Sequence, residues 1–176
     1  MAKDSRTLAP PPGGADYMAL AMRAMRTEGP TGDPPVGAAL VIGEKVIGVA
    51  RNRIVSARSF LAHAENSLLI RHSVALYRAF ETRPRPPIAL YTTLEPCLLC
   101  TAAAAHSRVQ RIVYACRDTM AGCCNHAPPE GWYRDNWPKL EHDPRHETAV
   151  ARTVFHAMKG RGPLADAMRH LLEPVG

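Results

Sequence analysis

His63-Ala64-Glu65 and, farther along, Pro96-Cys97-Leu98-Leu99-Cys100 supply an imidazole, two thiols and a carboxylate, the side chains that hold a divalent metal and move protons beside it. Zinc held by three protein ligands keeps a fourth position open and lowers the pKa of water there to about 7. His63, Cys97 and Cys100 are the candidate ligands. At the start of a helix the Cys-x-x-Cys spacing turns both thiolates toward one ion, Pro96 suits such a start, and the helix N-terminus favours their negative charge. Glu65 stands two residues after His63, so on a regular helix the two side chains diverge, unlike the histidine pair of HExxH. That geometry suits a carboxylate that serves the water and not the metal.

An amino group on an aromatic heterocycle leaves poorly. Its hydrolysis needs a nucleophile that exists at neutral pH and a proton donor for departing ammonia. Glu65 is the candidate shuttle, taking a proton from the attacking water, protonating a ring nitrogen, and finally protonating the leaving amine. His-x-Glu alone is an ordinary helix start, and Cys-x-x-Cys alone is ambiguous among zinc, redox chemistry and chance. The two in this order, with Pro96 before Cys97 and a helix-like segment after each, are far more demanding, and they point to a zinc hydrolase that releases ammonia, with one zinc ion per chain.

Six segments extend the pattern: Pro35-Val36-Gly37-Ala38, Ala50-Arg51-Asn52-Arg53, Ala62-His63-Ala64-Glu65, Thr93-Leu94-Glu95-Pro96-Cys97, His106-Ser107-Arg108, and Ala115-Cys116-Arg117-Asp118 through Ala121-Gly122. In these the chain resembles the cytidine and deoxycytidylate deaminase superfamily, with its closest likeness to the tRNA-adenosine and guanine deaminase branch. The resemblance runs from about Asp16 to Gly122 and fades beyond. It implies zinc ligation by His63, Cys97 and Cys100, proton shuttling by Glu65, a substrate contact from Asn52, and a backbone contact from Ala64. Without the resemblance Asn52 reads as a turn residue at a strand end. Relatives are mostly homodimers or tetramers, so a homodimer is expected on the same ground.

With 176 residues, the chain fits one domain able to bury a core without covalent staples. It has no long apolar run and no signal peptide, so no membrane partner and a cytoplasmic location are expected. Five cysteines, two of them claimed by zinc, suit reduced thiols better than a disulfide framework. The formal net charge of +6 would help attract RNA or a phosphorylated nucleotide. Scattered arginines with no long basic run serve an ordinary soluble protein equally well.

Residues 1–14 form a polar, then Pro- and Gly-rich lead-in, and 15–176 the catalytic domain, with 123–176 diverging from the family pattern. Helical spacing covers Ala15 to Thr27, with a cap near Asp16. VGAALVI, then Gly43-Glu44, then KVIGVA predicts a hairpin of two buried strands with Asn52 at its exit. Leu61 to Phe80 is predicted as one long helix with His63 and Glu65 in its first turn. Ile88 to Thr93 is a central strand, Cys97 to His106 a second site helix, and Ile112 to Ala115 a fourth strand. The order implies a three-layer α/β/α cytidine-deaminase-like fold, a mixed sheet with helices on both faces. Arg145 to Lys159 and Leu164 to Leu172 are predicted as covering helices, with Ala149, Val150, Val154, Phe155 and Met158 as an apolar stripe.

Between Gly122 and Leu140 the composition is too rich in Pro, Gly and Asn for a regular element, yet both tryptophans lie there. Trp132, Tyr133 and Trp137 are candidates for an aromatic wall around a bound base, or else anchors that hold the loop down. Cys123, Cys124 and His126 raise a second metal site, but adjacent cysteines chelate one tetrahedral ion poorly, so plain thiols are expected. The leading function is deamination of a nucleobase, nucleoside or related small amino-heterocycle, and the alternative is a tRNA-specific adenosine deaminase. Against tRNA stands Ser59-Phe60-Leu61, where the tRNA enzymes usually have a polar stretch. A non-catalytic zinc-stabilised binder leaves Glu65 without a role, and a thiol oxidoreductase leaves His63 and Glu65 without one.

Overall fold

A computed structural model of the chain describes residues 16–26, 32–123, 127–128 and 130–159, together with Asp166, Arg169 and Leu172. The lead-in 1–14 and most of the expected 164–172 helix lie outside the described residues. Helix α1 (Tyr17–Met25) begins where the Asp16 carboxylate accepts the Ala19 N–H at 3.0 Å. Strands β1 (Gly37–Ile42) and β2 (Lys45–Arg51) form the expected antiparallel hairpin. Its two-residue turn uses Gly43 at φ +61°, a conformation that costs glycine nothing. Only β1 is buried. The strand order β2-β1-β3-β4-β5 leaves β2 half-exposed at an edge.

The predicted long helix is two helices, α2 (Ala64–Arg71) and α3 (Ser73–Glu81), interrupted at His72 with φ −109° and ψ 20°. There the imidazole packs on the bare backbone of Gly48 in β2, where a Cβ would collide with His72 Nε2. Residues Leu61 to His63 precede α2 and are not helical. Strand β3 (Ile88–Leu94) pairs antiparallel with β1 and parallel with β4 (Arg111–Cys116). Helix α4 (Leu98–His106) makes the crossover between them.

Two elements lie beyond the sequence expectation. Trp132–Asn136 forms the short helix α5, and Lys139–His142 forms β5, parallel to β4. A 3-10 turn at Pro144–His146, capped by Asp143, then leads into α6 (Glu147–Met158). Its apolar stripe is as predicted but for one member, since Val150, Val154, Phe155 and Met158 pack on the core while Ala151 is buried in place of the exposed Ala149.

The pleat of β3 sorts the layers. Tyr91 meets Tyr17 of α1, ring centroids 5.2 Å apart, whereas Thr92, the next residue, faces Glu65 of α2. His146, just before α6, lies 3.9 Å from Asp16 at the start of α1, which puts these two helices on one face. The result is the expected mixed sheet between helical layers, with Leu40, Leu68, Ile88, Leu90, Ile112 and Val150 completely buried around it. No described helix is long and apolar enough to cross a membrane.

Candidate active site

His63 and Cys97 are each the residue just before a helix, in extended conformation, capping α2 and α4 respectively, and Cys100 lies in the first turn of α4. His63 Nδ1 is 3.8 Å from Cys97 Sγ and 3.4 Å from Cys100 Sγ, and the three ligand atoms all lie within 4.8 Å of one another. Tetrahedral zinc with one nitrogen and two sulfur ligands requires N···S edges of about 3.6 Å. The donor set and its spacing therefore fit zinc. Cys97 is pulled down to about 4 by the hydrogen bond from Cys100, against the opposing effect of burial and with further help from His63. Cys100 is pushed up by the same bond and by burial, and His63 is raised by its bond to Cys97.

Glu65 is the second residue of α2 and is buried. Its Oε1 accepts the Thr92 hydroxyl at 2.9 Å, while Oε2 lies 3.7 Å from Cys100 Sγ. Burial pushes this carboxyl up, and its own backbone N–H, the Thr92 hydroxyl and His63 pull it partly back. The convergence of His63 and Glu65 differs from the two-residues-on-a-helix expectation in one respect. His63 stands outside the helix, so its direction is set by the extended cap and not by the helical period.

The Cys97 backbone is held by a polar strap after β4. Glu95 donates its N–H to the Cys116 carbonyl at 2.8 Å, and its carboxylate accepts the Asp118 N–H at 3.1 Å. Asp118 Oδ1 in turn accepts the N–H groups of Met120 and Ala121. Burial raises the Asp118 carboxyl, and these two bonds oppose that rise. Gly122 then pairs with Cys97 as an antiparallel bridge, and Cys123 donates its N–H to the Pro96 carbonyl at 3.2 Å. A Cβ at Gly122 would collide with the Glu95 carboxylate and the Asp118 carbonyl. Glu95, Asp118 and Gly122 were visible in the sequence as motif matches without a role, and Thr92 was visible only as a strand residue.

Asn52 is buried at the exit of β2, where its Oδ1 accepts the Ile54 N–H at 3.0 Å in a local turn. The next residue, Arg53, donates its N–H to the Ala62 carbonyl at 2.9 Å, which ties this turn to the residue preceding His63. Ala64, fully buried, is the first residue of α2, so its N–H has no partner within the helix. Arg53 also lines a cleft of about 490 Å³ with Arg51, Ala62, Ser67 and Arg71.

The aromatic segment lies elsewhere. Trp132 stacks on His106 at 4.9 Å, and the Tyr133 hydroxyl is 2.7 Å from His106 Nε2. Trp137 meets Tyr133 edge-on at 6.0 Å. His106 closes the end of α4 opposite Cys97, about 13 Å along the helix axis at 1.5 Å per residue. Within this chain Trp132, Tyr133 and Trp137 therefore gather at the far end of α4 instead of walling the ligand cluster, because α5 docks on the helix C-terminus. Cys123 is a buried thiol 2.9 Å from the Thr101 hydroxyl, while Cys124 and His126 lie outside the described residues. Among the described residues the His63–Cys97–Cys100 group is the one cluster suited to a metal.

Comparison with known proteins agrees with this geometry. The family profile described as the cytidine and deoxycytidylate deaminase zinc-binding region matches residues 14–116. A tRNA-specific adenosine deaminase of Agrobacterium fabrum is 32% identical over 124 residues, covering 64% of this chain and 79% of that protein. A solved tRNA:A34 deaminase, which carries out A-to-I editing at the wobble position, superposes with a TM-score of 0.57 at 30% identity, over 72% of this chain and 96% of that one. The guanine deaminase of Nitrosomonas europaea shares the fold, with a TM-score of 0.57 at 22% identity over 89% of this chain and 80% of its own. With its ligand cluster, buried glutamate and family match in one place, this chain belongs to the cytidine and deoxycytidylate deaminase family of zinc-dependent hydrolases.

Proposed function

We propose that the amino group removed by this deaminase belongs to a nucleobase, nucleoside or related small amino-heterocycle. The observation that carries the catalytic reading is the buried Glu65 carboxylate, whose Oε2 lies 3.7 Å from Cys100 Sγ, beside the ligand cluster and not within it. Zinc, when bound by His63, Cys97 and Cys100, supplies the Lewis acidity that makes a water nucleophilic near neutral pH. Glu65 accepts one proton of that water and gives it to the ring nitrogen beside the amino-bearing carbon, then takes the second, released as the new C–OH becomes the carbonyl, and gives it to the amine, which leaves as ammonia. Burial raises this carboxyl above the usual carboxylate value. Asn52 and the Ala64 N–H, at the turn and helix start flanking His63, are proposed to orient the heterocycle.

The apolar residues before His63 support a small substrate. Phe60 is 90% exposed and Leu61 60%. They give the approach to His63 an apolar edge, suited to a flat ring. A tRNA anticodon is the second reading, favoured by the likeness to the A. fabrum tRNA-specific enzyme and by the three guanidiniums around the cleft beside Ala62. Thiols at all four described cysteines suit a cytoplasmic setting.

The test is ammonia release by the zinc-loaded protein against free bases, nucleosides, nucleotides, pterins and a tRNA anticodon stem-loop, with Glu65→Ala as the control. Turnover of a small heterocycle, lowered about 100- to 10,000-fold in Glu65→Ala with zinc retained, is expected. Activity confined to the stem-loop would replace the small-substrate reading with the tRNA one, and undiminished activity of Glu65→Ala would remove Glu65 from the mechanism.

We also propose that the chain acts as a homodimer. Ile70 on α2 and Val74 and Tyr77, three residues apart on α3, expose large apolar side chains, and Leu98 and Leu99 are exposed on α4. Light scattering should return twice the 19.2 kDa chain mass. A monomer at micromolar concentration would sink the proposal.

A further inference from the structure

Thr92 is completely buried at the centre of the sheet, paired with Ala38 of β1 on one side and Tyr114 of β4 on the other. Its neighbours of the same pleat phase, Leu90 and Leu94, are buried and apolar, and valine would fill the same volume without a polar atom to satisfy. The hydroxyl instead donates to Glu65 Oε1 at 2.9 Å. On the opposite pleat phase, Thr93 uses its hydroxyl differently, accepting the Gly37 N–H at 3.0 Å and so serving the sheet itself. Adjacent threonines thus divide between fold and site.

We infer that Thr92 is the positioning residue of this active site, fixing the rotation of the Glu65 carboxylate so that Oε2 alone faces the ligand cluster. The inference rests on the hydrolytic role of Glu65 proposed above.

An ionised carboxylate accepts at both oxygens, and a protonated one carries its hydrogen on one oxygen and still accepts at the other. With the Thr92 hydrogen directed at Oε1, that oxygen stays an acceptor in both states, and the travelling proton is directed to Oε2, the oxygen 3.7 Å from Cys100 Sγ. Removing the hydroxyl leaves Oε1 buried without this donor and lets the carboxylate turn about its last torsion, which is soft for a terminal carboxyl group. Placement of the proton at the reacting atoms then becomes one orientation among several. Such a change affects the chemical step and leaves the metal ligands and the substrate contacts alone.

The experiment uses the full chain with Thr92→Val, Thr92→Ser and Thr92→Ala, and reads kcat, KM and zinc content with the compound that the wild type deaminates. A second readout is the carboxyl carbon NMR signal of Glu65 in the zinc-free protein, assigned by its loss in Glu65→Gln. Thr92→Val should lower kcat about 10- to 100-fold, the range seen when a group supporting a metal-site residue is removed, with KM within about twofold and zinc unchanged. Its Glu65 carboxyl signal should move, and Thr92→Ser should restore both kcat and the signal. If the valine protein does not fold, the serine and alanine proteins carry the same comparison, differing only in the hydroxyl.

Full kcat in Thr92→Val, or equal losses in the serine and alanine proteins, would overturn the inference while a dead Glu65→Ala leaves the reaction standing. A wild type that deaminates nothing, combined with a carboxyl signal that moves in Thr92→Val, would support the contact and overturn the reaction instead.

Discussion

The two ends of α4 hold polar side chains by opposite means. At its N-terminal end, Cys100, Glu65, Glu95 and Asp118 are all buried, and the carboxylates accept hydrogen bonds from main-chain N–H groups or from a buried hydroxyl. At its C-terminal end, His106, Trp132 and Tyr133 are exposed or half-exposed and hold one another. Arg108 lies 5.0 Å over the Trp132 ring and bonds Asn136 at 2.8 Å. A buried polar group without its partner forfeits the whole of its desolvation cost, whereas a half-exposed one falls back on water. The N-terminal end should therefore be intolerant and local in its failures, and the C-terminal end tolerant.

The sharpest way to break that contrast is Gly122→Ala. The added methyl meets the Glu95 carboxylate and the Asp118 carbonyl, neither of which is the free end of a flexible, solvated chain. The strap must shift, and with it the bridge to Cys97. Zinc affinity measured by chelator competition should fall about 10- to 100-fold. The thermal melt should show a loss of about 1–3 kcal/mol from overpacking. Wild-type zinc affinity in a fully stable Gly122→Ala protein would show that the strap does not position Cys97.

The same contrast explains what was legible in the residues. The His63–Cys97–Cys100 cluster, the hairpin and the central strands announced themselves because each rests on a local pattern: ligand spacing, a Gly-containing turn, a continuous apolar run. Thr92 did not, because a threonine is at home in any strand and its role depends on α2 crossing above it. Strand β5, Lys-Leu-Glu-His, carries no strong β signal; it is a strand because β4 offers it an edge, with Arg111 and Glu141 closing an ion pair at 2.6 Å across the join. Helix α5, five residues long, is too short to form by propensity and exists by docking on His106. The break at His72 was hidden for a similar reason, since it depends on Gly48 of the edge strand leaving room for a ring. Local patterns were readable, and elements made by tertiary contact were not.

Arg108 shows how far the C-terminal end has been built for anchorage. It sits at φ +63° just past α4, a position where glycine is commonest, and its guanidinium lies between Phe80 and Trp132, 5.1 and 5.0 Å from the two rings. A side chain in that conformation is mildly unfavourable, and the contacts to two rings and to Asn136 offset it. Trp132→Leu removes one of those rings together with the stack on His106 and the edge contact with Tyr133. Because Trp132 is already 40% exposed, the cost should be about 1–2 kcal/mol, or a Tm lower by roughly 3–6 °C in a chain of this size. KM, kcat and zinc content should stay at wild-type values, since about 13 Å of helix separates the ring from Cys97. A KM raised several-fold by Trp132→Leu would mean that the aromatic end of α4 reaches the substrate after all. In a homodimer it would do so from the partner's side, and the two ends of the helix would then belong to one site.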